Sequence, residues 1–364
     1  MDAVRVGFDV GPLAGHRTGV GHAVAAMRDA LRRRNDVHLE EYLISFRAKP
    51  TAGERRLPLP ALVALRLWAK VDWPSADRWI HDVDVIHGTN YVVPPSKVPR
   101  VVSVYDCWFL RHPGEVSADV RRASEVLRRS VAAGAVVHAS SHATADAARE
   151  LLPGARVEVV SLGALPVLTA PAIPPIAELV DRPFIVAIGT LERRKNLPTL
   201  VRAFGHIAAE HTDVGLVLAG ADGNDRQAID AAVDAIGPAA AERVLLTGRV
   251  DAPTRAWLLR HARVLAYPSL DEGFGFPLLD AMQLRVPVVA SDAGSIPEVA
   301  GDAALLAPPR DIEGLAANLA AALADETTRT RLIAAGDRRW RQFDWDECAA
   351  QLTSLYTSLA GGAR

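Results

Sequence analysis

Residues 264–282 read VLAYPSLDEGFGFPLLDAM, a short apolar run followed by a glycine turn and a second apolar segment. The run at 264–267 predicts a buried strand, because consecutive apolar residues precede a cluster of turn residues. Gly273 and Gly275 let the backbone of the turn approach a ligand closely, and Pro277 is typical of the first turn of a helix. Free N–H groups at such a helix start suit an anion or the oxygens of a sugar. The stretch therefore predicts a strand–turn–helix corner that can hold a ligand.

Two carboxylates flank this turn. Glu272 lies just before the first glycine, and Asp280 lies on the following helix. Carboxylates in such an arrangement can accept hydrogen bonds from separate groups of hydroxyls on one ligand. A simple corner with Asp280 as a solvated helix residue explains the same spacing, and the residues alone leave both interpretations open.

The same arrangement occurs earlier, in residues 187–204, AIGTLERRKNLPTLVRAF. A strand is again followed by a glycine turn and a helix, and Arg193, Arg194 and Lys195 lie between them. Three cations at the carboxyl end of a strand can form a binding site for a diphosphate. A basic surface turn with Asn196 as helix cap is the alternative. Finding both segments at equivalent positions favours a binding site.

Strand-like apolar runs alternate with helix-like periodic segments along the whole chain. The predicted strands lie at 4–10, 83–88, 101–104, 135–139, 157–160, 184–188, 215–219, 244–247, 264–267 and 288–290. The predicted helices include residues 20–34, 197–210, 277–284 and 312–324. This alternation indicates an α/β protein with parallel sheets covered by helices on both faces.

Prolines mark the domain boundary. The segment 166–183 is rich in proline, which can continue neither a helix nor a central strand. We therefore predict a linker there, between an N-terminal Rossmann-like domain at 1–165 and a C-terminal one at 184–344. Two such domains are expected to face each other across a cleft that binds ligands. Residues 345–360 predict a final helix that packs on one domain, a return to the first domain being one option.

Composition narrows the class of protein. The chain has 364 residues, of which 49% are hydrophobic and 23% charged, so it is neither disordered nor fibrous. A formal net charge of −2 argues against a nucleic-acid-binding protein. Two distant cysteines exclude a disulfide scaffold and fit a cytoplasmic location. We find neither a secretory signal nor an apolar window of membrane-spanning length.

Residues 119–130 predict a solvated amphipathic helix, with peripheral contact to anionic lipid headgroups as the alternative.

A third glycine turn follows the first strand. Residues 15–27 read GHRTGVGHAVAAM, with Gly19 and Gly21 at the start of a helix. A dinucleotide-binding site needs a third glycine at a set spacing and an acidic residue after the second strand. The sequence lacks the third glycine at this spacing and shows no acidic residue at the end of a clear second strand, so we reject a Rossmann-type dinucleotide cofactor.

Taken together, these segments resemble the retaining family-4 glycosyltransferases of the GT-B fold, also described as glycosyl transferases group 1. The resemblance covers nearly the whole chain and is most specific in the second half. The segments that carry it there are GTLERRKN at 189–196, LTGRV at 246–250, EGFGFPLLD at 272–280 and ASDAGSIPEVAGDAALLAPP at 290–309. The looser matches are RTGVG at 17–21, IHGTNYVVPP at 86–95, VVSVYDCWFLRHP at 101–113 and ASSHATADA at 139–147.

The resemblance implies roles for individual residues. Glu272 would contact hydroxyls of the transferred sugar, whereas Lys195 and Arg194 would neutralise the leaving diphosphate. Asp280 takes the position of a second glutamate that holds the ribose in the family, and it is shorter by one methylene. The residues implied to bind the donor are Gly19, Gly21, Gly248, Arg249, Val250, Gly273, Phe274, Gly275 and Asp280.

The acceptor side departs from the family pattern. Many members carry a histidine before an aspartate after the third strand, whereas this sequence has Tyr105 before Asp106. The implied catalytic set is therefore Glu272, Lys195, Arg194 and Asp106, and the candidate acceptor contacts are His87, Asn90, Tyr105 and His112. For His87 and Asn90, a packed or capping role is the alternative.

The resemblance implies transfer of a hexose from a nucleotide diphosphate sugar to an acceptor hydroxyl, with retention and without a metal or other cofactor. GDP-mannose is the first-choice donor, because GTxExRKN segments are common in mannosyltransferases of cell-surface polysaccharide assembly. The acceptor would be a carbohydrate, a lipid-linked glycan or a small molecule. The alternatives are a UDP- or dTDP-sugar donor with a natural-product acceptor, a GT-B-fold nucleotide-sugar epimerase, and a binding protein without turnover.

Overall fold

A computed structural model describes residues 3–15, 18–44, 53–167, 170–171 and 175–362. The chain divides into two units of similar size. The first comprises Met1–Gly163 and Phe343–Arg364, and the second comprises Ala164–Gln342. Most of the proline-rich segment 166–183 lies in the described part, but residues 168–169 and 172–174 lie outside it.

The first unit contains a sheet of seven parallel strands, in the order β3-β2-β1-β4-β5-β6-β7. Its strands are β1 (Val4–Asp9), β2 (Val37–Ile44), β3 (Arg55–Leu57), β4 (Val85–Gly88), β5 (Arg100–Val104), β6 (Val136–Ala139) and β7 (Val157–Val159). The central strands β4, β5 and β6 are buried along their whole length, as expected where helices cover both faces.

Helices connect these strands. They are α1 (Gly19–Arg32), α2 (Ala61–Trp68), α3 (Trp108–Arg111), α4 (Ala118–Ala132) and α5 (His142–Leu151). Two of them begin at serine caps, because the hydroxyls of Ser117 and Ser141 accept hydrogen bonds from the amides of Val120 and Thr144. The helix α4 includes the arginine-rich run 119–130, whose apolar residues Val126 and Leu127 are buried.

The second unit contains a sheet of six parallel strands, in the order β10-β9-β8-β11-β12-β13. Its strands are β8 (Phe184–Ile188), β9 (Gly215–Ala219), β10 (Val244–Gly248), β11 (Val264–Tyr267), β12 (Val288–Ser291) and β13 (Ala304–Ala307). Its helices are α6 (Leu197–Ile207), α7 (Arg226–Ala235), α8 (Pro238–Ala241), α9 (Ala252–His261), α10 (Phe276–Gln283), α11 (Ile296–Ala300), α12 (Ile312–Ala324) and α13 (Glu326–Arg339). The two all-parallel sheets confirm the predicted α/β class with two Rossmann-like sheets.

The last helix, α14 (Trp345–Gly362), belongs to the first unit. Tyr356 on this helix is fully buried, and its hydroxyl lies 2.6 Å from Nδ1 of His87. At the start of the helix the ring of Trp345 lies so close to Gly163 that a Cβ there would come within 2.5 Å of it. Among the described helices, none is both long and apolar enough to cross a membrane.

Candidate functional site

The basic turn between β8 and α6 is tied to the loop after β11. Its three cations form a short 3₁₀ turn, Arg193–Lys195, which ends at Asn196 in a left-handed conformation (φ 53°). The Asn196 amide donates to the carbonyls of Pro268 and Pro309, at 3.0 and 2.5 Å. Asn196 is also the N-cap residue of α6, as the surface-turn alternative assumes, but its side-chain amide joins two loops to the turn and does not cap the helix.

Glu272 lies at the centre of this cluster. Its side chain is 8% exposed; Lys195 Nζ lies 2.6 Å from Oε1 and Arg194 Nη1 lies 2.6 Å from Oε2. The hydroxyl of Ser269 donates to Oε1 at 2.7 Å. Burial alone would raise the pKa of this carboxyl, but the charges of Lys195 and Arg194 and its hydrogen bonds lower the pKa to about 2. Glu272 is therefore ionised at neutral pH, and the two cations and one carboxylate leave a net positive charge.

Lys195 is held from several sides. Its side chain is 14% exposed, and Nζ donates to the hydroxyl of Tyr267 at 3.2 Å. Burial lowers the pKa of Lys195, an effect that the charge of Glu272 opposes and that of Arg194 reinforces. A cavity of about 10 Å³, the size of one water molecule, lies beside Lys195 and Tyr267. The site therefore has an oriented ammonium group next to a small void.

A second loop supports the backbone of Glu272. Gly294 follows β12 at φ 56°, and a Cβ there would lie 2.6 Å from both the amide and the carbonyl of Glu272. The amide of Ser295 donates to the carbonyl of Glu272 at 2.9 Å. Only glycine allows this approach. Sequence reasoning did not single out Gly294, although it lies within the matched segment 290–309.

The helix α10 begins after Gly275, which adopts φ 94° as the predicted turn requires. Asp280 on this helix is only 4% exposed and forms an ion pair with Arg255 of α9. The alternative of a solvated Asp280 is therefore wrong. The sequence did not reveal Arg255 as its partner, because a lone arginine on a helix gives no signal of a buried carboxylate elsewhere.

The remaining donor-side residues of this unit lie in turns. Gly248 ends β10 at φ 66°, and the exposed Arg249 and the half-buried Val250 follow it. Asp251 then caps α9 by accepting a hydrogen bond from the amide of Thr254 at 2.8 Å. Gly273 and Phe274 are buried next to Glu272.

In the first unit, the glycine turn opens α1. Gly19 is the first residue of this helix and is exposed, whereas Gly21 is buried. A Cβ at Gly19 would meet no heavy atom within 4 Å among the described residues. No described neighbour of Gly19 therefore requires glycine at this position.

The structure corrects two of the candidate acceptor contacts. His87 is fully buried, with Nδ1 2.6 Å from the Tyr356 hydroxyl and Nε2 2.8 Å from the Ser103 hydroxyl. Tyr105 is also buried, and its hydroxyl donates to the carbonyl of Thr89 at 2.9 Å. Both side chains are buried and hydrogen-bonded inside the first unit, so neither ring can contact an acceptor. For His87, the alternative of a packed role is therefore right.

The other candidates in this unit remain accessible. Asn90 is exposed beyond β4, and His112 is half-buried and stacked on Trp108 at 3.8 Å between ring centres. Asp106 accepts a hydrogen bond from the amide of Trp108 at 3.1 Å and another from the hydroxyl of Tyr91 at 3.4 Å. The structure thus leaves Asn90 and His112 as the accessible part of the predicted acceptor set, and Asp106, predicted as a catalytic residue, is half-buried.

Asp9 was not singled out from the sequence. It ends β1, is 7% exposed, and accepts a hydrogen bond from the amide of Gly11 at 2.8 Å. Burial raises the pKa of this carboxyl to about 7, against the opposing effect of hydrogen bonds from the backbone. Asp9 therefore changes charge near neutral pH.

Asp9→Asn is expected to stabilise the protein at pH 8. In the unfolded chain this carboxyl ionises near pH 3.8, so the wild-type protein loses stability as pH rises from there to about 7. The difference of about three pKa units corresponds to roughly 4 kcal/mol. Urea unfolding at pH 5 and pH 8 should show a gain for Asp9→Asn that grows with pH, and an equal gain at both values would contradict the assignment.

Among the described residues, no group of three or more His, Cys, Asp or Glu side chains is placed to hold a metal ion.

Comparison with known proteins identifies the class. The sequence family "Glycosyl transferases group 1" matches residues 170–339. The chain is 30% identical over 285 residues to the O-antigen chain mannosyltransferase B of Escherichia coli, covering 76% of this chain and 74% of that protein. It is 32% identical over 173 residues to a phosphatidyl-myo-inositol mannosyltransferase of Mycolicibacterium smegmatis, covering 47% of this chain and 43% of that protein.

Solved structures agree on the fold. The sucrose-phosphate synthase from Thermosynechococcus elongatus superimposes with a TM-score of 0.75 at 20% identity, over 99% of this chain and 100% of that one. HepE from Anabaena, solved with UDP and glucose, gives a TM-score of 0.70 at 19% identity, over 98% of this chain and 100% of that one. The fold is GT-B, and the protein is a hexosyltransferase. It belongs to the glycosyl transferases group 1 family.

Proposed function

We propose that the protein transfers mannose from GDP-mannose to an acceptor hydroxyl with retention of configuration and without a bound metal. The observation that carries the proposal is the cluster of Lys195, Arg194 and Glu272 at the carboxyl end of the second sheet. The donor is suggested by the two relatives reported above, both named as mannosyltransferases.

The chemistry requires a bond between the anomeric carbon and the diphosphate to break. Negative charge develops on the leaving phosphate, and positive charge develops on the sugar ring. Lys195 and Arg194 are already oriented by Glu272, so they stabilise the phosphate without reorganising in the transition state. The acceptor oxygen attacks the anomeric carbon on the face that GDP leaves, and its proton passes to the leaving phosphate. The sugar thus keeps its configuration.

The other site residues have complementary roles in this proposal. The backbone of Gly273–Gly275 contacts the sugar and phosphates, and the turn Gly248–Val250 borders the base. Because Lys195 and Arg194 supply the positive charge at the diphosphate, the reaction needs no divalent cation or other cofactor.

The acceptor is proposed to be a growing glycan or glycolipid. The relatives are named for transfer to an O-antigen chain and to phosphatidyl-myo-inositol. A cytoplasmic enzyme in peripheral contact with the inner face of a membrane fits such acceptors.

A nucleotide panel tests the donor class. We expect GDP, but not UDP, dTDP or ADP, to raise the thermal unfolding temperature, because a ligand at about 100 times its Kd stabilises by roughly 2.7 kcal/mol. A shift with UDP or dTDP alone would overturn the choice of GDP-mannose. Lys195→Ala should reduce the shift, and Arg260→Ala, at an exposed position of α9, serves as its control.

Donor turnover tests the reaction class. Incubation with GDP-mannose should release GDP slowly with water as acceptor, in the presence of EDTA as in its absence. Early NMR spectra should show the α anomer of mannose, because the leaving group of GDP-mannose is α. The β anomer would indicate inversion, a changed sugar still linked to GDP would indicate an epimerase, and unchanged donor would indicate a binding protein.

A further inference from the structure

Arg255 introduces a third cation into the donor-side region of the second unit. It lies on α9, which follows the turn Gly248–Val250, and it pairs with Asp280 on α10. The carboxylate is 6% exposed, whereas the guanidinium side chain is 34% exposed. In this ion pair, the carboxylate is therefore the buried partner and the arginine is the accessible one.

This geometry does not suit Asp280 as the group that meets the ligand. The resemblance places a longer glutamate there, which reaches the ribose directly. Here the shorter side chain is buried and its charge is engaged by Arg255. A guanidinium carries five donors in a fixed fork and forms strong paired hydrogen bonds with phosphate oxygens. One carboxylate cannot occupy all of these donors, so Arg255 retains donors for a ligand.

Arg255 is linked to the catalytic cluster through α10. Its partner Asp280 lies on this helix, which begins directly after the glycine turn that follows Glu272. The hydroxyl of Tyr267 accepts a hydrogen bond from Lys195, and the charge of Arg255 is a minor influence on Tyr267, whose pKa burial raises. Arg194 and Lys195 share the single carboxylate of Glu272, and Arg255 has the carboxylate of Asp280. These two ion-paired groups thus hold three cations and two carboxylates, a net positive charge that favours an anionic diphosphate, and Glu192, whose charge also acts on Lys195, belongs to neither group.

We propose that Arg255 binds the diphosphate of the nucleotide sugar, and that Asp280 is a positioning residue that acts through Arg255. This inference rests on the proposed function. It assigns Asp280 a role different from the ribose contact that the resemblance implies. The two roles differ in kinetics, because a contact with the leaving phosphate strengthens as charge develops, whereas a ribose contact is equal in ground and transition states.

A double-mutant cycle tests this proposal. The rate of GDP-mannose hydrolysis gives kcat and KM for wild type, Arg255→Ala, Asp280→Ala and the double variant, with Arg260→Ala as the matched control on the same helix. We expect either single change to lower kcat about 10- to 100-fold, the range of a lost charge-assisted hydrogen bond. In the Arg255→Ala background, loss of Asp280 should have little further effect, because coupled residues are not additive.

Two variants guard against loss of folding. Arg255→Lys keeps the charge without the fork and should recover part of kcat, and Asp280→Asn keeps one acceptor oxygen for Arg255. Additive effects of the two alanine changes, or a higher KM with unchanged kcat in Asp280→Ala, would overturn the proposal and restore a direct ribose contact. Failure of the proposed function has a different signature, because the wild-type protein would then neither bind GDP nor hydrolyse GDP-mannose.

Discussion

Lys195→Ala is expected to lower kcat for sugar transfer about 100- to 1000-fold, the cost of removing one preorganised donor from developing negative charge. Lys195 Nζ lies 2.6 Å from Glu272 and 3.2 Å from the hydroxyl of Tyr267, so its position is fixed before a donor binds. The change should also weaken GDP binding. Steady-state rates with GDP-mannose and calorimetric titration with GDP measure the two effects separately.

Neighbouring residues provide the controls for Lys195. Arg194→Ala should have a similar or smaller effect, because Arg194 also donates to the carbonyl of Asp271 and thus supports the loop as well as the charge. Arg202→Ala, at an exposed position of α6, should leave kcat within about two-fold. Unchanged kinetics in both Lys195→Ala and Arg194→Ala would contradict a catalytic role and would mean that the cluster is only a basic surface turn.

Fully buried strands were the easiest part of the fold to predict. The bounds of Phe184–Ile188, Gly215–Ala219 and Val264–Tyr267 agree with the expected ones, because a central strand of a parallel sheet is apolar on both faces. The missed strand β2 has Glu40 and Glu41 within it, which break the apolar run. Arg5 and Arg32 pair with these carboxylates, a compensation that only the folded chain shows.

Two other strands were missed for local reasons. Three-residue β3 lies at the edge of its sheet, and its sequence, RRL, carries no strand pattern. The sequence of β13, ALLA, is as typical of a helix as of a strand. Both segments form strands because their backbones pair with β2 and β12, and their own residues do not predict a strand.

The sequence predicted the parts of the candidate site whose functional residues lie within short contiguous motifs. Lys195 and Glu272 each stand in a glycine turn after a strand, and parallel strands bring such turns to one edge. Pairing between distant side chains was not predictable in this way. Tyr356 meets His87 across 269 positions, and this contact converts an expected acceptor residue into a core residue.

Glu272→Gln is expected to cost roughly 3–5 kcal/mol of stability at neutral pH and to abolish most transfer activity, because breaking a buried ion pair leaves uncompensated charge. The amide is nearly isosteric with the carboxylate, so packing is preserved. What changes is that Lys195 and Arg194, 14% and 17% exposed, face each other without a counter-charge. Urea unfolding at pH 7 measures the loss, and Glu313→Gln, at an exposed position of α12, is the matched control.

The pH dependence separates the charge of Glu272 from its shape. The pKa of this carboxyl is about 2 in the folded protein against an ordinary value of 4.5, so its stabilising contribution is complete above pH 4.5 and is lost as pH falls towards 2. This difference corresponds to about 3 kcal/mol. Once protonated, Glu272 carries no more charge than the amide of the variant, so the stability difference between wild type and Glu272→Gln should shrink across this window. A difference that stays constant from pH 5 to pH 2 would mean that shape, and not charge, makes Glu272 necessary.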